Sequence, residues 1–125
     1  MTWDELAVVQ RAAAQHLFGA NDSTYERAAC GRAYYAAYAL VTSRLSGVRT
    51  FGRGWSNPPH ATLPAHIDGI AGLNEAARRE LRRALRRLRQ RREDADYRPG
   101  ATVDRNSARE RMRDVGKVFM LLKQG

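Results

Sequence analysis

An all-α fold, a four-to-five-helix up-and-down bundle, is predicted by three features of the chain. Apolar residues recur at steps of three and four along four long stretches, and no stretch shows the period-two alternation of a strand. Breaks carrying glycine or proline fall between the stretches. At 125 residues the chain lies within the ~100–200 residues of one domain, so positions 1–125 read as a single unit.

The first helix is expected from about Trp3 to Phe18. Leu6, Val9, Ala13 and Leu17 share a face, and Gly19 lies just past the end. The second opens at Ser23, which makes a capping box with Glu26, and runs to about Leu45. A loop holding Gly52, Gly54, Pro58 and Pro59 follows, then a short helical piece around Pro64 to Ala71. The third long helix starts behind Asn74, a good N-cap, and carries Leu81, Leu85 and Leu88 towards Ala95. A turn is expected at Asp96-Tyr97-Arg98-Pro99-Gly100, because proline and glycine together stop a helix. The last helix begins near Asp104 and carries Ala108, Met112, Val115, Phe119 and Leu122 in steps of four and three.

The second helix is apolar on two sides. On a helical wheel Tyr25, Ala28, Ala29, Arg32, Ala36 and Ala39 share one face, and Cys30, Tyr34, Ala37, Tyr38, Val41 and Leu45 share the opposite one. A helix of this kind is buried on both sides. One side faces the core, and the other is expected to meet the central segment or a second copy of the chain, which makes a homodimer the expected assembly.

Composition excludes several function classes. The longest apolar run, Ala33 to Val41, is far short of the ~20 residues of a spanning helix, so no membrane role is expected. Acids near the start, Asp4 and Glu5, replace the basic residues of a signal peptide, and the single cysteine, Cys30, permits no internal disulfide. Together these predict an unexported, cytoplasmic protein. No Gly-rich phosphate loop, nucleophile elbow or HExxH motif is present, and no cofactor or metal is expected.

The net charge of +9 is concentrated in one place. Between Arg78 and Arg92 there are nine arginines and one acid, Glu80. Arg79, Arg82, Arg83 and Arg86 lie opposite the leucine stripe and read as a solvated face. They also suit phosphate, which arginine grips bidentately, or an acidic protein partner. Two arginines break the apolar pattern. Arg32 falls within the alanine and tyrosine face, and Arg92 extends the leucine stripe inward near its helix end. Both are expected either to make structural ion pairs, with Asp94 or Asp96 as partners, or to line a polar cleft.

The string from Tyr25 to Tyr38, YERAACGRAYYAAY, resembles the core motif of HEPN domains, and Arg92-Glu93-Asp94-Ala95-Asp96-Tyr97 is similar to the ending of the third long helix in their small stand-alone branch. The resemblance covers roughly residues 3 to 122. It implies a dimeric helical bundle, often encoded beside a minimal nucleotidyltransferase in toxin–antitoxin or defence systems. It also implies a metal-independent ribonuclease whose arginine is followed, after four to six residues, by a histidine. Here the arginine is Arg92, and the positions for the histidine hold Tyr97, Arg98 and Pro99. The expected cleft therefore consists of Arg92, Asp96 and Tyr97, with Arg98 and the basic face drawing phosphate in and Arg32 supporting from behind.

Three histidines remain as sources of a proton-transfer group. His16 is expected to be solvated or packed, and His66, just after Pro64, to be structural. His60 has the right spacing from Arg53 but lies in the Gly/Pro loop. Any of them could reach the cleft from a distant position in sequence. Two functions are in view: an RNA- or nucleotide-binding, toxin-like protein with a degenerate ribonuclease site, or a non-catalytic helical module that binds a partner such as a nucleotidyltransferase antitoxin.

Overall fold

The structure, a computed structural model, describes residues 1–45, 60, 62–100 and 103–122; of Ser23, Asp96 and Tyr97 it describes the backbone alone. Four α-helices and one 3₁₀ segment make up the described residues: α1 (Trp3–Gly19), α2 (Ser23–Leu45), the 3₁₀ segment (Leu63–Gly69), α3 (Glu75–Tyr97) and α4 (Arg105–Leu121). The protein is an all-α helical bundle, as the periodicity predicts. The loop with Gly52, Gly54, Pro58 and Pro59 lies outside the described residues, as does Arg53.

The helix ends follow from local chemistry. Asn74 Oδ1 accepts from the Ala77 N–H at 2.8 Å, and Asp104 Oδ1 accepts from the Ser107 N–H at 2.8 Å. At α2 the acceptor is Asp22, whose Oδ1 takes the Thr24 N–H at 2.9 Å. Glu26, expected in a capping box, is instead buried 3.9 Å from the Arg105 guanidinium. The left-handed residue between α1 and α2 is Asn21, at φ 52°, a conformation asparagine tolerates better than most. The expected turn at Asp96 does not begin there. The helix continues through Tyr97, because Pro99 acts on the residue before it: Arg98, at φ −126° and ψ 84°, leaves the helical region.

Helix α2 is the central element. It packs against α1, the 3₁₀ segment, α3 and α4, while α1 and α3 make no contact with each other among the described residues. From Ala36 to Thr42 every residue is buried. Ala29, Ala36 and Ala39 are covered within the chain, so α2 by itself does not call for a second copy. Arg32 departs from expectation, since it lies at the exposed end of this face and its Nη1 donates to Gln10 Oε1 at 3.1 Å.

The buried face of α1 is rotated from the expected one. Ala7 and Ala14 are fully buried, whereas Val9 is 49% exposed. Alanines on both helices permit a close approach of α1 to α2, and Leu6 packs at the edge of the core. On α3, Leu81, Leu85 and Leu88 are buried as expected; on α4 so are Ala108, Val115, Phe119 and Leu122. Periodicity did not foresee that α4 also buries Arg111 and Asp114. They pair at 3.0 Å, and Arg87 of α3 reaches the same carboxylate at 3.0 Å, so the charges compensate one another.

Candidate functional site

A cleft of about 310 Å³ opens between α2, the 3₁₀ segment and α3. Its apolar wall is Leu63, Pro64, Ala65 and Leu85, and its polar wall is Tyr34, His60, Arg82, Arg86 and Arg89. Arg82, Arg86 and Arg89 are spaced by four and three residues, so one stripe of α3, beside the leucine stripe, presents all three. Tyr34 belongs to the inward face of α2 and is only 2% exposed.

His60 joins the site through Tyr34. The tyrosine hydroxyl lies 2.5 Å from His60 Nδ1, and three rings surround the imidazole: Tyr38 at 4.5 Å, Tyr34 at 5.4 Å and Tyr35 at 6.1 Å between centroids. Burial, then the Arg92 and Arg89 guanidiniums, holds the imidazole below its ordinary pKa, against an opposing pull from Glu93. Burial also pushes the Tyr34 hydroxyl far above the usual tyrosine range, so it keeps its proton.

Arg92 points inward, as its periodicity indicates, and is only 7% exposed. Its guanidinium carbon lies 5.4 Å from the Tyr34 ring centre and 5.7 Å from that of Tyr35. It therefore stands behind the tyrosines and does not line the cleft. Asp96 and Tyr97 sit in the last turn of α3, and their side chains lie outside the description. Arg98 is exposed at the C-cap, 3.6 Å from Asp94, and Asp94 also engages Arg91 and Gln90. Arg32 shares a shallow recess with Tyr35, Ala28 and Gly31 on the outer side of α2. The cleft thus lies further towards the start of α3 than the expected grouping at its end.

No family model, curated protein or solved structure matches this chain.

The basic helix is more neutralised than its local sequence suggests. Arg82 pairs with Asp68 of the 3₁₀ segment and lies 3.8 Å from Glu75; Arg83 pairs with Glu80, Arg87 with Asp114, Arg89 with Glu93 and Arg91 with Asp94. Asp68 and Asp114 come from other elements, which is why the local sequence shows too few acids. Among the described residues, Arg78, Arg79 and Arg86 form no ion pair with a carboxylate. Of these, Arg86 lines the cleft, with its Nε donating to the Arg82 carbonyl at 3.4 Å.

The single cysteine is not poised to react. Cys30 is buried, and burial pushes its thiol up to about 11. Among the described residues no three His, Cys, Asp or Glu side chains are placed to hold a metal ion, and no helix is long and apolar enough to cross a membrane.

Sequence reasoning missed Tyr34 as a hydrogen-bonding partner and Arg89 as a cleft residue. The signal for Arg89 was present in its spacing from Arg82 and Arg86. For Tyr34 the inward face was legible. Its partner His60, 26 residues away, was not.

Proposed function

We propose that this chain is an RNA- or nucleotide-binding protein, a toxin-like component of a toxin–antitoxin or defence system. Its phosphate site is the cleft between α3 and the 3₁₀ segment. The observation that carries the reading is the Tyr34–His60 hydrogen bond, which brings an imidazole beside Arg86 and Arg89, whereas the HEPN resemblance expects its histidine at Tyr97, Arg98 or Pro99. Metal-free RNA cleavage removes a proton from the 2′-hydroxyl, forms a bond from that oxygen to phosphorus, and returns a proton to the departing 5′-oxygen. Two transfers need two groups or one group acting twice, while arginines stabilise the phosphorane charge. His60 is the one imidazole in the cleft wall. Tyr34 keeps its proton, and Glu93 is engaged by Arg89. The site therefore suits phosphate binding, with cleavage slow.

Anisotropy of a labelled single-stranded RNA oligonucleotide tests this reading. Arg86→Ala is expected to weaken binding by about 1–2 kcal/mol and to lower the salt slope by about one. Arg79→Ala, outside the cleft, should cost less. The second reading, a non-catalytic module for an acidic partner such as a nucleotidyltransferase antitoxin, draws on Arg79 and Arg83, which are exposed away from the cleft. RNA binding indifferent to Arg86→Ala and His60→Ala would refute the cleft and favour that module.

A further inference from the structure

A phenol carries one proton, and at Tyr34 the destination of that proton decides the state of His60. Among the described residues, His60 Nδ1 is the sole hydrogen-bonding group at the Tyr34 hydroxyl. If Nδ1 bore the ring proton, it would donate to the hydroxyl oxygen, and the hydroxyl's own proton would find no acceptor among the described residues. If the hydroxyl donates to Nδ1, both groups are satisfied and the ring proton resides on Nε2. We propose that Tyr34 is a positioning residue that locks His60 as the neutral Nε2–H tautomer. The imidazole then offers a ligand phosphate a hydrogen-bond donor and no base. The consequence for a ligand rests on the cleft being a phosphate site, whereas the tautomer itself does not.

The surroundings agree with a neutral ring. From α2, Tyr34, Tyr35 and Tyr38 pack around the imidazole; from α3, Arg89 and Arg92 add positive charge, and Glu93 opposes them. Arg82 and Arg86 lie in the same cleft wall, and the 3₁₀ segment contributes Leu63, Pro64 and Ala65, none of which titrates. Protonating the ring would place an N–H on Nδ1 against the hydroxyl proton and add a charge beside two guanidiniums. A base for the RNA 2′-hydroxyl needs a bare Nε2, so this lock predicts that any cleavage at the cleft is slow.

The test is a long-range proton–nitrogen correlation spectrum of the histidine rings in ligand-free, ¹⁵N-labelled protein. His60 is assigned by its absence in His60→Gln. The expected pattern is a bare Nδ1 and a protonated Nε2. In Tyr34→Phe the ring is expected to become a mixture of tautomers, with its titration midpoint moved up towards the ordinary ~6.5. RNA binding should weaken in that variant by roughly fivefold, the scale of one neutral hydrogen bond. A protonated Nδ1 in the parent protein would overturn the proposal even if Tyr34→Phe did not fold. So would an unchanged tautomer and midpoint in a folded Tyr34→Phe. With pyrophosphate and RNA as probes, an Nε2–H ring in a protein that binds neither would refute the phosphate site and leave the tautomer standing. Tight binding with an Nδ1–H ring would do the reverse.

Discussion

Arg27 holds the end of the helix that carries the cleft, and its removal has a magnitude that the geometry supplies. Its Nη1 donates to the carbonyls of Asp94 and Ala95 at 3.1 Å and of Arg98 at 3.3 Å, and its Nη2 to that of Pro99 at 3.2 Å. The last carbonyls of a helix have no partner within it, so a guanidinium from α2 serves as a C-terminal cap for α3. Nη1 has two hydrogens for three acceptors, so one contact is shared. The contacts to Asp94 and Ala95 are part-buried, whereas water replaces the exposed pair. Two charge-assisted hydrogen bonds, taken at the low end of their range, contribute about 3 kcal/mol. The cation near the negative helix end adds about 0.5 kcal/mol. Arg27→Met keeps an apolar stem and removes the fork, so urea unfolding followed by far-UV circular dichroism should lose about 3 kcal/mol. That corresponds to a fall in Tm of roughly 10 °C for a chain of this size. Arg27→Lys keeps the charge without the fork and should recover less than half of the loss. If Arg27→Met unfolds within about 0.5 kcal/mol of the parent, water serves these carbonyls equally well and the cap is not a stabilising element.

Two further predictions concern the core and the site. Ala37 is fully buried in α2, so Ala37→Glu places an unpaired carboxylate in the core and should cost about 4 kcal/mol or more. Arg83, with 55% of its side chain exposed, should lose under about 1 kcal/mol on the same change, and equal losses at both positions would refute the placement of α2. His60 is held below its ordinary value of 6.5, so the unfolded chain takes up a proton at a pH where the folded protein does not. This contribution to stability is present above 6.5 and is lost as pH falls from there towards the lowered folded value. Chemical unfolding from about pH 7 down to pH 5 should therefore show a decline that His60→Gln reduces, and an unchanged decline would show that the imidazole is not desolvated.

Much of the bundle was legible in the chain, because helix formation and burial follow local periodicity. The caps Asn74 and Asp104, the leucine stripe of α3, the apolar seam of α4, the burial of α2 on both sides and the inward Arg92 all follow from spacing that any helix imposes. The tertiary structure decided which neighbour satisfies each face. It turned α1 to lay Ala7 and Ala14 on α2 in place of Val9, because small residues on both helices allow the closest approach. It brought Asp68 and Asp114 to Arg82 and Arg87, so that the most basic stretch is partly neutralised by carboxylates distant in sequence. It also set His60 against Tyr34, beside a cleft that the arginine stripe of α3 lines. Periodicity can state that a side chain faces inward. Which group it meets there depends on how loops close over the helices, and that is set by packing across the whole chain.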